Sequence, residues 1–150
     1  GKQIACHARA GAAVMRAAQC GIDVIYHCEA CDEEALDLVE AHKDRLFLGP
    51  AINLIWATIH EAQAFGIDEE QARSLGMHRI IELAQRTYAA LRKRGVRVVI
   101  GGDYGFAWTP QGTNARDLVH FVELFGYSLG ETRQFASTCL MRRLKVIGLG

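Results

Sequence analysis

The sequence carries no surplus of charge. Lysine plus arginine and aspartate plus glutamate each total 17, so the formal net charge is zero. Nucleic-acid and anionic-membrane binders usually show a basic excess, and neither partner is expected here. No apolar run approaches the roughly 18 residues of a transmembrane helix. The opening stretch GKQIACHARAG lacks the extended apolar core of a signal peptide. Cysteine is present as an odd set of five: Cys6, Cys20, Cys28, Cys31 and Cys139. Scattered among apolar residues, they make a poor disulfide framework and point to a reducing, cytoplasmic setting. No linker, low-complexity segment or repeat breaks the chain. The segment HARAGAAV, after the first apolar run, is not the G-x-G-x-x-G of a dinucleotide site.

What remains is 150 residues, 50% of them hydrophobic, enough for one domain with a sizeable core. QIACHA reads as a strand and GAAVMRAAQCG as a short helix that ends at Gly21, where a left-handed residue is cheap. IDVIYH is a second strand. CDEEALDLVEAHK is a helix with Asp32 as N-cap and Glu33 and Glu34 complementing its dipole. RLFLGPAINL is a third strand that breaks near Gly49 and Pro50. IWATIHEAQAFG is helical and ends at Gly66. DEEQARSLGMHRIIELAQRTYAALRKRG opens on the capping-box pair Asp68 and Gln71 and closes on Gly95. It carries Met77, Ile80, Ile81, Ala84, Tyr88 and Leu91 on one stripe. VRVVIGG is the fourth strand, leading into Asp103. TNARDLVHFVELFG puts Leu118, Phe121, Val122 and Phe125 on one helical face, and a last helix opens on Ser128 and Glu131. Apolar strands separated by helices imply a parallel sheet covered by helices.

In such sheets ligands bind outside the carboxyl ends of the strands. The first strand ends at His7, the second at His27 and the fourth at Asp103. Two imidazoles and a carboxylate suit a divalent transition metal such as zinc in an open site. A strand-end histidine serves equally as a hydrogen-bonded structural residue, and an acid after two glycines as a turn. The residue pattern alone leaves both readings open. Cys28-x-x-Cys31 with His27 has half the ligands of a zinc knuckle, but no second CxxC exists. His42, His60, His78 and His120 fall within helices and read as surface or packing residues. Arg92, Lys93 and Arg94 read as a solvated helix end.

The stretches ACHARAG, IDVIYHCEACDEEALDLV and GVRVVIGGDYGFAWTPQGTNARDLVHFVELFGYSLGETRQFAST resemble the C-terminal half of a metal-dependent amidohydrolase. The nearest branch contains imidazolonepropionase-like and prolidase-like hydrolases. The resemblance implies an α/β fold: a parallel-stranded half of a (β/α)8 TIM-type barrel. Residues 1–150 would then form one partial domain of four βα units, with an extra helical insertion before the last strand. By the same resemblance His7 and His27 end the family's fifth and sixth strands as metal ligands. Asp103 ends the eighth strand as ligand and general base. Arg9 and Tyr104 are candidate substrate contacts, Arg9 being equally suited to a structural salt bridge. The implied activity is hydrolysis of amide or other C–N bonds in a small-molecule or short peptide-like substrate, with zinc the expected metal.

The sequence also departs from the family. The His-x-His pair of the first strand and the carboxylated lysine or acid of the fourth are absent, since the chain starts where the fifth strand would. Gln111 stands where relatives often carry histidine, and Arg9 where histidine or tyrosine is frequent. CLMRRLKVIGLG does not follow the family's continuation. Four strands cannot close an eight-stranded barrel. The metal site is therefore expected to be incomplete, with the missing half or a second copy as partner. The rival readings are a flavodoxin-like binding domain without hydrolysis and a truncated paralogue acting in oligomerisation.

Overall fold

The computed structural model describes residues 2–146, with side chains through residue 138. Cys139 and the CLMRRLKVIGLG stretch therefore lie outside the residues whose side chains are described. Three strands, β1 (Ala5–Ala10), β2 (Val24–Ala30) and β3 (Phe47–Gly49), form a parallel sheet in the order β1-β2-β3. Seven α-helices accompany them among the described residues: α1 (Gly11–Gln19), α2 (Glu33–Ala41), α3 (Ile52–His60), α4 (Glu69–Ser74), α5 (Met77–Lys93), α6 (Arg116–Glu123) and α7 (Leu129–Val146).

The helix boundaries follow local chemistry. Asp32 accepts from Ala35 N at the start of α2, and Asp68 and Gln71 close a reciprocal capping box on α4. Ser128 and Glu131 do the same at α7, with Ser128 N donating to Glu131 Oε2 at 2.7 Å and Glu131 N to Ser128 Oγ at 3.2 Å. The run from Asp68 to Gly95, read as one helix, is two. Gly76 adopts a left-handed conformation (φ 75°), its N–H closing α4 onto Arg73 O while its carbonyl accepts from Ile80 to begin α5.

The expected fourth strand is reduced to a single parallel bridge between Leu48 and Val98. Leu48 N donates to Arg97 O and Val99 N to Leu48 O, and the ladder stops there. Its partner strand has run out. Pro50 has no N–H to offer, and Ala51 turns the chain away in a left-handed conformation (φ 51°). The four βα units expected from sequence are thus three, plus a bridged segment in the fourth position.

One face of the sheet is sealed by helices. Ile25, Leu48 and Val98 pack with Val14 and Ala18 of α1, Leu36 and Val39 of α2, and Ala84, Tyr88 and Leu91 of α5. The basic turn closing α5 is not simply solvated. Arg92 pairs with Glu131 at the start of α7, and Arg94 reaches Glu33, Asp37 and Glu40, which line one side of α2. On α6, Phe121 and Phe125 are buried as expected, but Val122 is exposed. Asp117 and His120 take the inward positions instead, His120 against Asn53 of α3. No described helix is long and apolar enough to cross a membrane.

Candidate functional site

The open face of the sheet carries the chemistry. His7 of β1 lies opposite Tyr26 of β2 in the strand register. Tyr26 lies over two glycines: a β-carbon at Gly49 would come within 2.8 Å of its ring, and one at Gly101 within 3.3 Å. Small residues at 49 and 101 therefore give the ring room to floor a cleft. That cleft, about 280 Å³, is lined by His7, Tyr26, Asp103, Tyr104, Gln111 and Asn114, with backbone from Ala51 and Gly101–Gly102.

Strand alternation alone would send His27, next to Tyr26, to the helix-covered face. It does not go there. His27 and Cys28 both adopt left-handed conformations (φ 79° and 59°), and the β1–β2 register shifts between Ala8 and Ala10. This irregularity re-aims the imidazole, as bulges do. His27 Nε2 comes to lie 2.7 Å from His7 Nδ1. Two side chains of α5 grip the irregular backbone: Tyr88 Oη donates to His27 O at 3.0 Å and Thr87 Oγ1 to Glu29 O at 2.7 Å. Positive φ at non-glycine residues is costly and concentrates where function demands it. Asp103, with φ 60°, is another such residue, beside Ala51.

The three expected metal-site residues are placed as follows, and neither histidine ends its strand: β1 and β2 run on past them to Ala10 and Ala30. His7 and Asp103 line one cleft, and His27, nearly fully buried, meets His7 behind it. Tyr104 lines the same cleft, while Arg9 lies beside it, bonded through Nη1 to Glu29 Oε1 at 2.7 Å. Among the described residues no three His, Cys, Asp or Glu side chains cluster so as to hold a metal ion. The donor chemistry of the histidine pair nevertheless fits one. Two imidazole nitrogens face each other, and Zn–N bonds of about 2.0–2.1 Å at a tetrahedral angle would need them about 3.3 Å apart, a small ring rotation away.

The CxxC pair does not join this site. Burial pushes the Cys28 thiol well up and the Cys31 thiol to about 12, so both stay protonated, and Cys31 Sγ donates to Cys28 O. The four described cysteines are unpaired.

Beneath the Gly101–Asp103 turn lies a polar layer that sequence reasoning missed. Asn53 and His120 are buried and hydrogen-bonded at 3.1 Å. Burial, with Arg116 nearby, lowers the His120 pKa to about 4, so the ring is neutral. With Asn53 Oδ1 as acceptor, its proton sits on Nε2. Arg116 is held by Glu61 across α3 and α6. Asp117, 1% exposed, makes no well-formed hydrogen bond at either carboxylate oxygen, though the Tyr104 side chain lies close by. Burial raises its pKa to about 7, against weaker opposing effects of the Tyr104 hydroxyl and Arg116.

That shift has a consequence for stability. Between about pH 4 and pH 7 the unfolded chain loses the Asp117 proton while the folded chain keeps it, so stability falls as pH rises through this window. Asp117→Asn is expected to flatten the slope and to raise the denaturation midpoint at pH 8 relative to wild type. Urea unfolding at pH 5, 6, 7 and 8 measures it.

Other residues missed in the sequence are Tyr26 and Asn114, which line the cleft, and Glu29. Glycines at 49 and 101, at successive strand ends, are the visible trace of a large ring between them. Glu29 was visible only as an acid two places after a strand-end histidine.

No family model matches the chain, and no curated protein matches it. Solved structures do. A. niger ochratoxinase superposes with a TM-score of 0.71 at 21% identity, covering 89% of this chain and 29% of its own. A prolidase complexed with N-methylphosphonate-L-proline gives 0.72 at 22% identity, covering 89% and 31%. An amidohydrolase gives 0.76 at 21% identity, covering 99% and 33%. The chain therefore has the fold of one segment of amidohydrolase and prolidase structures, and it spans about a third of their length.

Proposed function

We propose that this chain is the C-terminal part of a metal-dependent amidohydrolase barrel, cleaving amide bonds in small or short peptide-like substrates. The observation that carries the reading is the imidazole pair. His7 and His27, from neighbouring parallel strands, turn nitrogens toward each other at 2.7 Å, and the second needs a strained backbone to do so. The fold shared with hydrolases supports it. The partial coverage supports a barrel completed by further strands. Among the described residues, the outer edge of β1 carries no partner strand.

In this reading His7 and His27 hold a divalent metal, zinc by donor type, and Asp103, which lines the same cleft without clustering with the pair here, becomes a ligand when the complementary half supplies the rest. A bound metal would lower the pKa of its water and polarise the scissile carbonyl. Asp103, on its glycine hinge, takes the proton of the attacking water and returns it to the leaving nitrogen. Tyr104 offers its ring to the substrate from the cleft wall, its hydroxyl being turned to Thr113 O at 3.5 Å. Arg9 uses one nitrogen on Glu29 and remains 45% exposed, leaving donors for a substrate carboxylate.

Zinc titration of the full chain tests the reading, alongside an assay on N-acyl amino acids and dipeptides. One equivalent should bind to the wild type, and the double variant His7→Ala/His27→Ala should lose it. Equal affinity in the two proteins would remove the histidine pair from the site.

A further inference from the structure

Glu29 has no part in the chemistry described so far, yet its surroundings are unusual. It is a carboxylate 2% exposed, two residues beyond His27. Its Oε1 accepts from Arg9 Nη1 at 2.7 Å and lies 3.3 Å from His27 Nδ1. That nitrogen is buried and makes no in-line hydrogen bond, and Glu29 Oε2 also has no partner. The backbone on either side is pinned: Thr87 holds the Glu29 carbonyl and Tyr88 the His27 carbonyl. A buried carboxylate beside a ring nitrogen accepts a proton there and repels a lone pair.

We propose that Glu29 is a positioning residue that holds His27 in the tautomer protonated on Nδ1, so that Nε2 turns an unprotonated lone pair toward His7 and a shared metal ion. Arg9 sets an opposite charge against the same carboxylate oxygen that faces His27. The chain Arg9–Glu29–His27–His7 thus runs from solvent to the cleft, and each link fixes the next. The irregularity at His27 and Cys28 makes it possible, because a regular strand would point His27 into the helix layer. The inference rests on the hydrolase reading for the metal, but the tautomer is a property of the metal-free chain.

Two measurements on the full chain test it. The imidazole nitrogen shifts of His27 in ¹⁵N NMR, read without metal, should report Nδ1–H in the wild type and a shift toward Nε2–H in Glu29→Ala. Zinc affinity, read by competition with a chelator, should fall about 10- to 100-fold in Glu29→Ala, the usual cost of losing such a partner. Glu29→Gln keeps an oxygen acceptor. It should retain the wild-type tautomer and most of the affinity, and it carries the test if the alanine variant does not fold. A wild-type His27 protonated on Nε2 would overturn the proposal, as would zinc affinity in folded Glu29→Ala within twofold of wild type. If the wild type binds no zinc but shows the Nδ1–H tautomer, the hydrolase reading fails while the Glu29 contact stands.

Discussion

Asparagine in place of Asp103 is expected to leave the fold intact and to lower kcat for amide hydrolysis about 10²- to 10⁴-fold, the contribution of a positioned general base. The choice of asparagine matters. Residue 103 sits at φ 60°, a conformation that Asn adopts nearly as readily as Asp and that most other residues resist. Asp103→Ala would mix lost chemistry with backbone strain. Asp103→Asn removes the basic oxygen and the charge a metal would see while sparing the backbone. Steady-state kinetics of the complete barrel, with a melting curve beside it, separate the two effects. A variant that keeps more than about a tenth of wild-type kcat would take the base role away from Asp103.

The second large effect is expected one residue earlier. A β-carbon on Gly102 would fall 2.5 Å from Asp117 Oδ1, 2.6 Å from Asn53 Cβ and 2.6 Å from Tyr104 Cε2. None of these is the loose end of an exposed chain: Asp117 and Asn53 are buried, and Tyr104 walls the cleft. Gly102→Ala must therefore shift the turn. Overpacking of this kind costs about 1–3 kcal/mol. The larger loss should be in activity, because a displacement of about 1 Å at a reacting group can cost about 10²-fold. Gly130→Ala is the control. Its nearest neighbour would be Ser128 Oγ at 3.9 Å, and it lies in helix α7, where alanine is the better helix former. It should be neutral or slightly stabilising. If Gly102→Ala behaves like Gly130→Ala in both melting temperature and kcat, the packed layer beneath the turn does not position Asp103.

Both expectations centre on a turn that the sequence made visible. Two glycines and an acid after VRVVI announced a strand end with a carboxylate on a hinge, and Asp103 does line the cleft. The layer under it was not visible. Asp117 and His120 occupy helix α6, where the apolar stripe suggested that Leu118 and Val122 would face inward. Asn53 on α3 opposite accounts for the buried histidine, and the acid is buried beside the Gly101–Asp103 turn. The histidine pair divides the same way. That each lies on an apolar strand follows from the runs before them, but both strands continue past the histidines, to Ala10 and Ala30. That His27 faces His7 depends on two left-handed residues, which no alternation pattern encodes.

Local rules decided the caps at Asp32, Asp68 and Ser128 and the alternation of β1 to β3 with helices, because each depends on residues a few positions apart. Tertiary contact decided the rest. Tyr88 and Thr87, some sixty residues beyond β2, hold the irregular backbone that re-aims His27. Ala51 and Pro50 cut the ladder that would have made a fourth strand. Glu29 gains its meaning from Arg9 on the neighbouring strand. A side chain's direction at a bulge, and the charge beside it, are set by whatever packs against it from distant sequence, and that information is spread along the whole chain.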